Sequence, residues 1–289
     1  MSPEGTIRIA IQKTGRLSEG SLLLLRQMGL QFESYQGRLF TPCRNLSADI
    51  LFLRDDDIPE YVEDGVADLG IVGSNVLEER GSGVERLLPL DFGFCSLALA
   101  VPEQSSIDTT DRLEGMRIAT SYPRTLRAFL RKKKLQAEVV VLKGCVEIAP
   151  ALKVADAICD LVSTGSTLRT NRLRTIETIA ESRALLVGTR GKNPEKRALI
   201  DRLLLRAKGV QEARKVKYIM FNAPKTSLPA LTALVRGCRS FTVVPLADPA
   251  FVAVRSVVPE DDFWDIAERL RAFGGTDILV SSSIEQFIR

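Results

Sequence analysis

Short, nearly continuous apolar runs, each ending in small or acidic residues and followed by a helix-like stretch, recur along most of the chain. Thr6-Ile-Arg-Ile-Ala-Ile-Gln12 passes through Thr14-Gly15-Arg16 into a helix over 17–28 that closes at Gly29. Asp49-Ile-Leu-Phe-Leu-Arg54 runs into Asp55-Asp56-Asp57-Ile58-Pro59, a helix start with acids at its positive end and Pro in its first turn. Ala67-Asp-Leu-Gly-Ile-Val-Gly73 runs into Ser74-Asn75, which caps the next helix. Strands apolar on both sides, alternating with helices, belong to parallel sheets covered on both faces.

The same grammar restarts after a strand at 94–101. Strands are expected at 116–120, 138–142 and 157–162, with helices at 123–134 and 145–152 and another opened by Thr164-Gly165-Ser166-Thr167. Residues 178–187 read either as a helix end or as a strand returning to the first lobe. Val66-Ala-Asp-Leu-Gly-Ile-Val-Gly-Ser74 and Val154-Ala-Asp-Ala-Ile-Cys-Asp-Leu-Val-Ser163 echo one another. The echo fits two facing α/β lobes, and it also fits the shared composition of strand-turn-helix units.

After a long helix over 194–215 the order becomes β-α-β-β-α-β, the ferredoxin-like split unit. The expected division is a two-lobed part over 1–212, with one lobe at about 1–95 and 178–212 and the other at about 96–177. A chemically quiet ferredoxin-like domain over 213–289 is read as a regulatory or assembly module.

Composition narrows the chemistry. The chain has no His, which removes His triads, His metal sites and the usual neutral-pH proton shuttle. Lys and Arg number 40 against 36 Asp and Glu, too small an excess to argue for nucleic acid. The 5 Cys contain no CxxC pair, so a zinc site is not expected. The Met1 end lacks a basic, then apolar, leader, and no apolar run is long enough to span a bilayer. A cytoplasmic location without membrane association is expected.

The sharpest chemical signal is Asp160-Leu-Val-Ser-Thr-Gly-Ser-Thr-Leu168. Amides at a helix start, hydroxyls of Ser163, Thr164, Ser166 and Thr167, and close backbone approach at Gly165 suit a phosphate monoester. The same residues also suit a well-capped helix. Asp160 would repel phosphate, so it is assigned to ribose hydroxyls or a divalent metal, with Glu147 facing the same cleft. Two carboxylates beside a diphosphate suit Mg2+. Lys13 and Arg16 share one loop and can neutralise a polyphosphate; on their own they read as ordinary surface charge. The run Arg54-Asp55-Asp56-Asp57 is read as structural, as is the cationic helix end Arg131-Lys132-Lys133-Lys134. Trp264 is expected in the core or at a subunit contact.

These segments resemble the ATP phosphoribosyltransferase family in its long form. The resemblance is carried by Arg8-Ile-Ala-Ile-Gln-Lys-Thr-Gly-Arg-Leu-Ser18, Arg54-Asp-Asp-Asp-Ile-Pro59, Asp64-Gly-Val-Ala-Asp-Leu-Gly-Ile-Val-Gly73 and Leu90-Asp-Phe-Gly93. Arg117-Ile-Ala-Thr-Ser-Tyr-Pro123, the stretch from Ala155 to Leu168, Pro245-Leu-Ala247 and Ile278-Leu-Val280 extend it. It implies a two-lobed catalytic part like periplasmic binding proteins. It also implies transfer of phosphoribosyl from phosphoribosyl pyrophosphate to adenine N1 of ATP, with Mg2+ as cofactor. On this reading Asp160 and Ser163 to Thr167 bind phosphoribosyl pyrophosphate. Lys13, Arg16, Asp68, Gly73 and Glu147 serve ATP or pyrophosphate, and Glu147 and Asp160 the metal. No side chain acts as nucleophile or essential acid/base.

The resemblance also implies feedback inhibition by histidine at the C-terminal domain, at positions Asn222, Cys238, Thr242 and Asp277, and assembly as dimers or hexamers. The chain departs from the family at Cys145 (usually Ser), Ala151 (often Arg), Lys153 (often Gly), and Cys238 and Asp277 (apolar). Two alternatives are weighed: a non-catalytic two-lobed small-molecule sensor, and an enzyme for another nucleotide.

Overall fold

The computed structural model describes residues 5–33, 37–189, 193–234 and 242–281. The chain forms two compact units, one made of 1–23 and 30–200, the other of 24–29 and 201–289.

In the first unit the chain passes through β1 (Ile7–Gln12), α1 (Ser18–Gln27), β2 (Phe40–Pro42), β3 (Ala48–Leu53), α2 (Ile58–Glu63), β4 (Leu69–Gly73), α3 (Ser74–Arg80) and β5 (Glu85–Pro89). It crosses to β6 (Cys95–Pro102), β7 (Arg117–Thr120), α4 (Pro123–Lys133), β8 (Glu138–Val141), β9 (Ala157–Val162), α5 (Ser166–Thr170) and β10 (Leu173–Ser182). It then returns to β11 (Ala184–Gly188) and enters α6 (Pro194–Arg214).

Two sheets result, ordered β2-β3-β1-β4-β11-β5 and β10-β6-β9-β7-β8. In the first, β1 lies between parallel β3 and β4. In the second, β7 lies between parallel β8 and β9. An antiparallel strand follows in each, β11 against β4 and β6 against β9. The two-lobed architecture expected from the sequence is therefore present.

The apolar runs are central strands. All of β4 is buried, as are Ile7, Ile9, Ala10 and Ile11 of β1. On α4, Leu126 and Leu130 lie one turn apart and are both buried; each such side chain contributes on the order of 2–3 kcal/mol. The cationic end of α4 follows its dipole, and Lys133 pairs with Glu177 at 2.8 Å.

The lobes are joined by two adjacent crossovers, bonded to each other by Leu90 N–H to Ala184 O at 2.9 Å and Ala184 N–H to Phe92 O at 3.1 Å. The return crossing falls at Arg183, because β10 stays in the second sheet to Ser182. The stretch 178–187 is thus strand throughout apart from that crossing. The helix expected over 145–152 shrinks to a 3-10 turn, Val146–Ile148, preceded by Cys145 in a left-handed conformation.

The second unit contains β12 (Val216–Pro224), α7 (Leu228–Leu234), β13 (Thr242–Pro245), β14 (Phe251–Pro259), α8 (Phe263–Ala272) and β15 (Thr276–Ser281). Its antiparallel sheet is ordered β13-β14-β12-β15, the ferredoxin-like arrangement. Ile219, Phe221 and Ala223 point from β12 into a core with Val252, Val254 and Leu270. Trp264 does not join that core: it is 73% exposed.

Candidate functional site

In each lobe the central strand sends its chain to one side, and a later strand arrives on the other. The carboxyl ends of strands at such a switch point are the usual ligand position in open α/β sheets. In the first lobe the loops there are Gln12–Arg16 after β1, Arg54–Asp57 after β3 and Gly73–Asn75 after β4. In the second they are Ser121–Tyr122 after β7 and Ser163–Gly165 after β9.

The β9 loop turns sharply at Gly165 into a short helix. Gly165 precedes α5 with φ of +72°, a left-handed conformation that glycine adopts without strain. Ser163, Thr164, Ser166 and Thr167 are exposed, and Thr164 Oγ1 lies 3.0 Å from Ser166 Oγ. Because α5 spans only Ser166–Thr170, the loop amides and hydroxyls matter more here than a helix dipole. A cation unnoticed in the sequence sits alongside: Arg169 Nη1 lies 3.2 Å from where a Cβ on Gly165 would be. Its position four residues after Gly165, one helical turn on, was the available signal.

Asp160 lies on β9 ahead of that loop, its Oδ1 accepting the Leu161 N–H at 2.8 Å. Burial raises its pKa, the Leu161 amide lowers it, and the charge of Glu147 raises it again. Glu147 thus lies near enough for its charge to bear on Asp160. Among the described residues no three acidic or thiol groups gather as a metal cluster. A mutually repelling pair does fit a divalent cation whose remaining oxygens come from substrate and water.

Across the cleft, the Arg16 guanidinium donates to Gly93 O in the crossover and, at 3.4 Å, to Asn75 Oδ1. Lys13 is exposed on the same loop. Gly73 is required by close approach: a Cβ there would lie 2.3 Å from Asn75 Oδ1 and 3.3 Å from Arg16 Nη2.

The Arg54-Asp55-Asp56-Asp57 run contributes more than a helix start. No side chain caps the 3-10 turn Asp55–Asp57. Instead Asp55 turns inward, where its carboxylate accepts the Gly73 N–H while its Oδ1 is buried without a hydrogen-bond partner among the described residues. Burial pushes its carboxyl up to about 6; Arg16 pulls it down, Asp56 raises it, and the Gly73 amide lowers it. Sequence pattern alone could not separate this acid from its two neighbours.

Tyr122 stands between the lobes. Burial raises the pKa of its phenol, and the charges of Asp160, Asp56 and Asp55 raise it further, so it stays neutral at physiological pH. Its backbone N–H donates to Thr120 Oγ1 at 2.9 Å, and Thr120 Oγ1 donates to Cys159 O at 2.7 Å.

Asp68 is not brought to this site. It precedes β4, whereas Gly73 ends it, so the two lie at opposite ends of a five-residue strand, roughly 16 Å by strand rise. Asp68 is engaged by Lys196 Nζ at 2.9 Å and by the Arg8 N–H at 2.8 Å.

In the second unit, Asn222 Nδ2 donates to Asp277 Oδ2 at 3.0 Å, with Asp277 at φ of +52°. Thr242 is not with them: it sits on β13, separated from β12 by β14. Cys238 lies outside the described residues.

Comparison with known proteins agrees with this geometry. The family model described as ATP phosphoribosyltransferase matches residues 54–209, and one described as the C-terminal domain of the same family matches 213–285. An ATP phosphoribosyltransferase of Cytophaga hutchinsonii is 44% identical over 274 residues, covering 95% of this chain and 96% of its own. Among solved structures, the ATP phosphoribosyl transferase (HisG:HisZ) complex from Thermotoga maritima superposes with a TM-score of 0.59 at 26% identity. That match covers 70% of this chain and 99% of the other.

Proposed function

The chain belongs to the ATP phosphoribosyltransferase family and is a pentosyltransferase, and on that premise we propose how its cleft carries the transfer. Phosphoribosyl pyrophosphate seats its 5′-phosphate on the Ser163 to Thr167 loop, with Asp160 and Glu147 toward the ribose hydroxyls. Lys13 and Arg16 face the pyrophosphate or the ATP phosphates from the other lobe, near Gly73. Adenine N1 attacks ribose C1 as the bond from C1 to the pyrophosphate oxygen breaks, and the pyrophosphate carries the electron pair away.

No protein nucleophile is required. Charge develops on the sugar and on the departing diphosphate, so positioning, nearby cations and exclusion of water supply the acceleration. Mg2+ brought with the diphosphate would be held on the protein side by Glu147 and Asp160 and would screen the developing negative charge. The ferredoxin-like unit is read as a histidine-responsive regulatory domain in a homo-oligomer, dimeric or hexameric. Its matched C-terminal family model supports that reading, with Asn222 and Asp277 the paired candidates. A biosynthetic role goes with a cytoplasmic setting; among the described residues no helix is long and apolar enough to cross a membrane.

The observation that carries the catalytic assignment is the left-handed Gly165 turn among exposed hydroxyl residues, on the strand whose Asp160 carries a raised pKa from burial and the charge of Glu147. Incubation with ATP, phosphoribosyl pyrophosphate and Mg2+, followed by chromatography, tests it. Phosphoribosyl-ATP should form and be suppressed by histidine. Absence of product contradicts the catalytic reading; product insensitive to histidine contradicts the regulatory one.

A further inference from the structure

The first turn of α4 is capped from the opposite lobe. A helix begins with amides that have no intrahelical acceptor, and Ser, Thr, Asp or Asn at the N-cap normally satisfies one. Here the N-cap is Tyr122, which makes no side-chain capping bond. Glu79, on α3 of the first lobe, takes its place. Its Oε1 accepts the Arg124 N–H at 2.8 Å, and its Oε2 accepts the Thr125 N–H at 2.9 Å and the Thr125 hydroxyl at 2.8 Å. The Arg124 guanidinium returns a bond to Arg80 O at 3.1 Å.

One turn earlier on α3, Asn75 faces the same helix start. Its Nδ2 donates to Tyr122 Oη at 3.5 Å, and its Oδ1 accepts from Ser182 Oγ at 2.8 Å and from Arg16 at 3.4 Å. Asn75 is 6% exposed, so this amide is committed to protein partners. Residues four apart on α3 therefore both reach across the lobe boundary. The far end of the grip is tied to β9, the strand before the proposed phosphate cradle, through Tyr122 N–H, Thr120 Oγ1 and Cys159 O.

We propose that Glu79 is an interlobe latch and a positioning residue for the transfer, setting the β9 loop at working distance from the Arg16 loop, with Asn75 joining Arg16 to the same grip. Opening the lobes returns the α4 amides to water and strips Glu79 of its donors. The latch thus favours the approximated lobes without touching either substrate. This rests on the catalytic reading above.

The test uses Glu79→Ala, Glu79→Gln and Thr125→Val in the full chain. Thr125→Val keeps shape and removes only the hydroxyl donor. Losing a charged capping group should lower kcat/KM for both substrates about ten-fold in Glu79→Ala, with a smaller loss in the other two. Affinity for ribose 5-phosphate, which needs only the β9 loop, should stay at the wild-type value by calorimetry. The radius of gyration of substrate-free Glu79→Ala, read by small-angle scattering, should exceed that of the wild type.

Wild-type kcat/KM and a wild-type substrate-free radius of gyration in Glu79→Ala overturn the latch. So does a loss of ribose 5-phosphate affinity in parallel with melting temperature, which marks a merely structural contact. If Glu79→Ala does not fold, Thr125→Val decides alone: reduced kcat/KM with intact ribose 5-phosphate binding supports the latch, and wild-type kinetics overturn it. Failure of the wild type to bind ribose 5-phosphate would count against the cradle instead.

Discussion

Asp68 and Arg8 exchange two bonds across the start of the first sheet: Asp68 Oδ2 accepts the Arg8 N–H at 2.8 Å, and the Asp68 N–H donates to Arg8 O at 2.8 Å. Asp156 and Arg117 repeat the joint in the second lobe, at 2.9 Å for both bonds. The two segments that echo in the sequence thus share one structural device, fastening β4 and β9 each to the central strand beside it.

Asp68 should accordingly matter for stability and not for ATP. Its side chain is 13% exposed, against 41% for Asp156. Asp68→Ala is expected to cost about 1 kcal/mol in denaturant unfolding, from the lost Arg8 amide bond and the lost Lys196 pair. Asp156→Ala should cost less, because its bonds can be replaced by water. KM for ATP should not move in Asp68→Ala; a large rise would return Asp68 to the site.

The sign of the Asp55 effect follows from its raised pKa, about 6 when folded and about 3.9 when unfolded. The folded state holds the proton more tightly. The cost of ionising Asp55 is absent below about pH 4 and complete above about pH 6, on the order of 3 kcal/mol. Asp55→Asn should stabilise the protein by roughly 1–2 kcal/mol at pH 7, with the gain fading toward pH 4. Turnover should fall, because Arg16 loses its facing charge. Unfolding measured at both pH values checks this; equal gains contradict it.

Lys153 carries φ of +57°, at a position where the family resemblance leads one to expect Gly. Lys153→Gly should leave stability unchanged or raise it by up to about 1 kcal/mol, whereas Lys153→Val should lower it by about 1–2 kcal/mol. Chemical denaturation of the two variants separates a strained backbone from an indifferent surface site.

Gly165 is tested by Gly165→Asp. A carboxylate at a left-handed turn meant for an anion should abolish phosphoribosyl pyrophosphate binding. Unchanged KM and kcat in this variant contradict the cradle.

The central strands were legible because burial on both faces leaves a nearly continuous apolar run, unbroken in β4 and interrupted by one charged residue each in β1 (Arg8) and β9 (Asp160). The ferredoxin-like order was legible from its change of grammar. Edge strands β2 and β5 were not: they are short and largely exposed, with no apolar run to mark them. The crossing at Arg183 was hidden because β10 and β11 read as one continuous stretch on either side of it. In the site, the β9 loop announced itself through consecutive small hydroxyl residues. Asp55, Tyr122 and Asn75 did not, since their roles come from neighbours distant in sequence. Asp68 looked like Gly73 in pattern, yet the length of one strand separates them.

The most direct test is a crystal structure of the protein with phosphoribosyl pyrophosphate bound. The 5′-phosphate should rest on the amides and hydroxyls of Ser163 to Thr167, with the pyrophosphate turned toward Arg16. A phosphoribosyl group seated away from that loop, with Gly165 contacting solvent alone, would contradict the account.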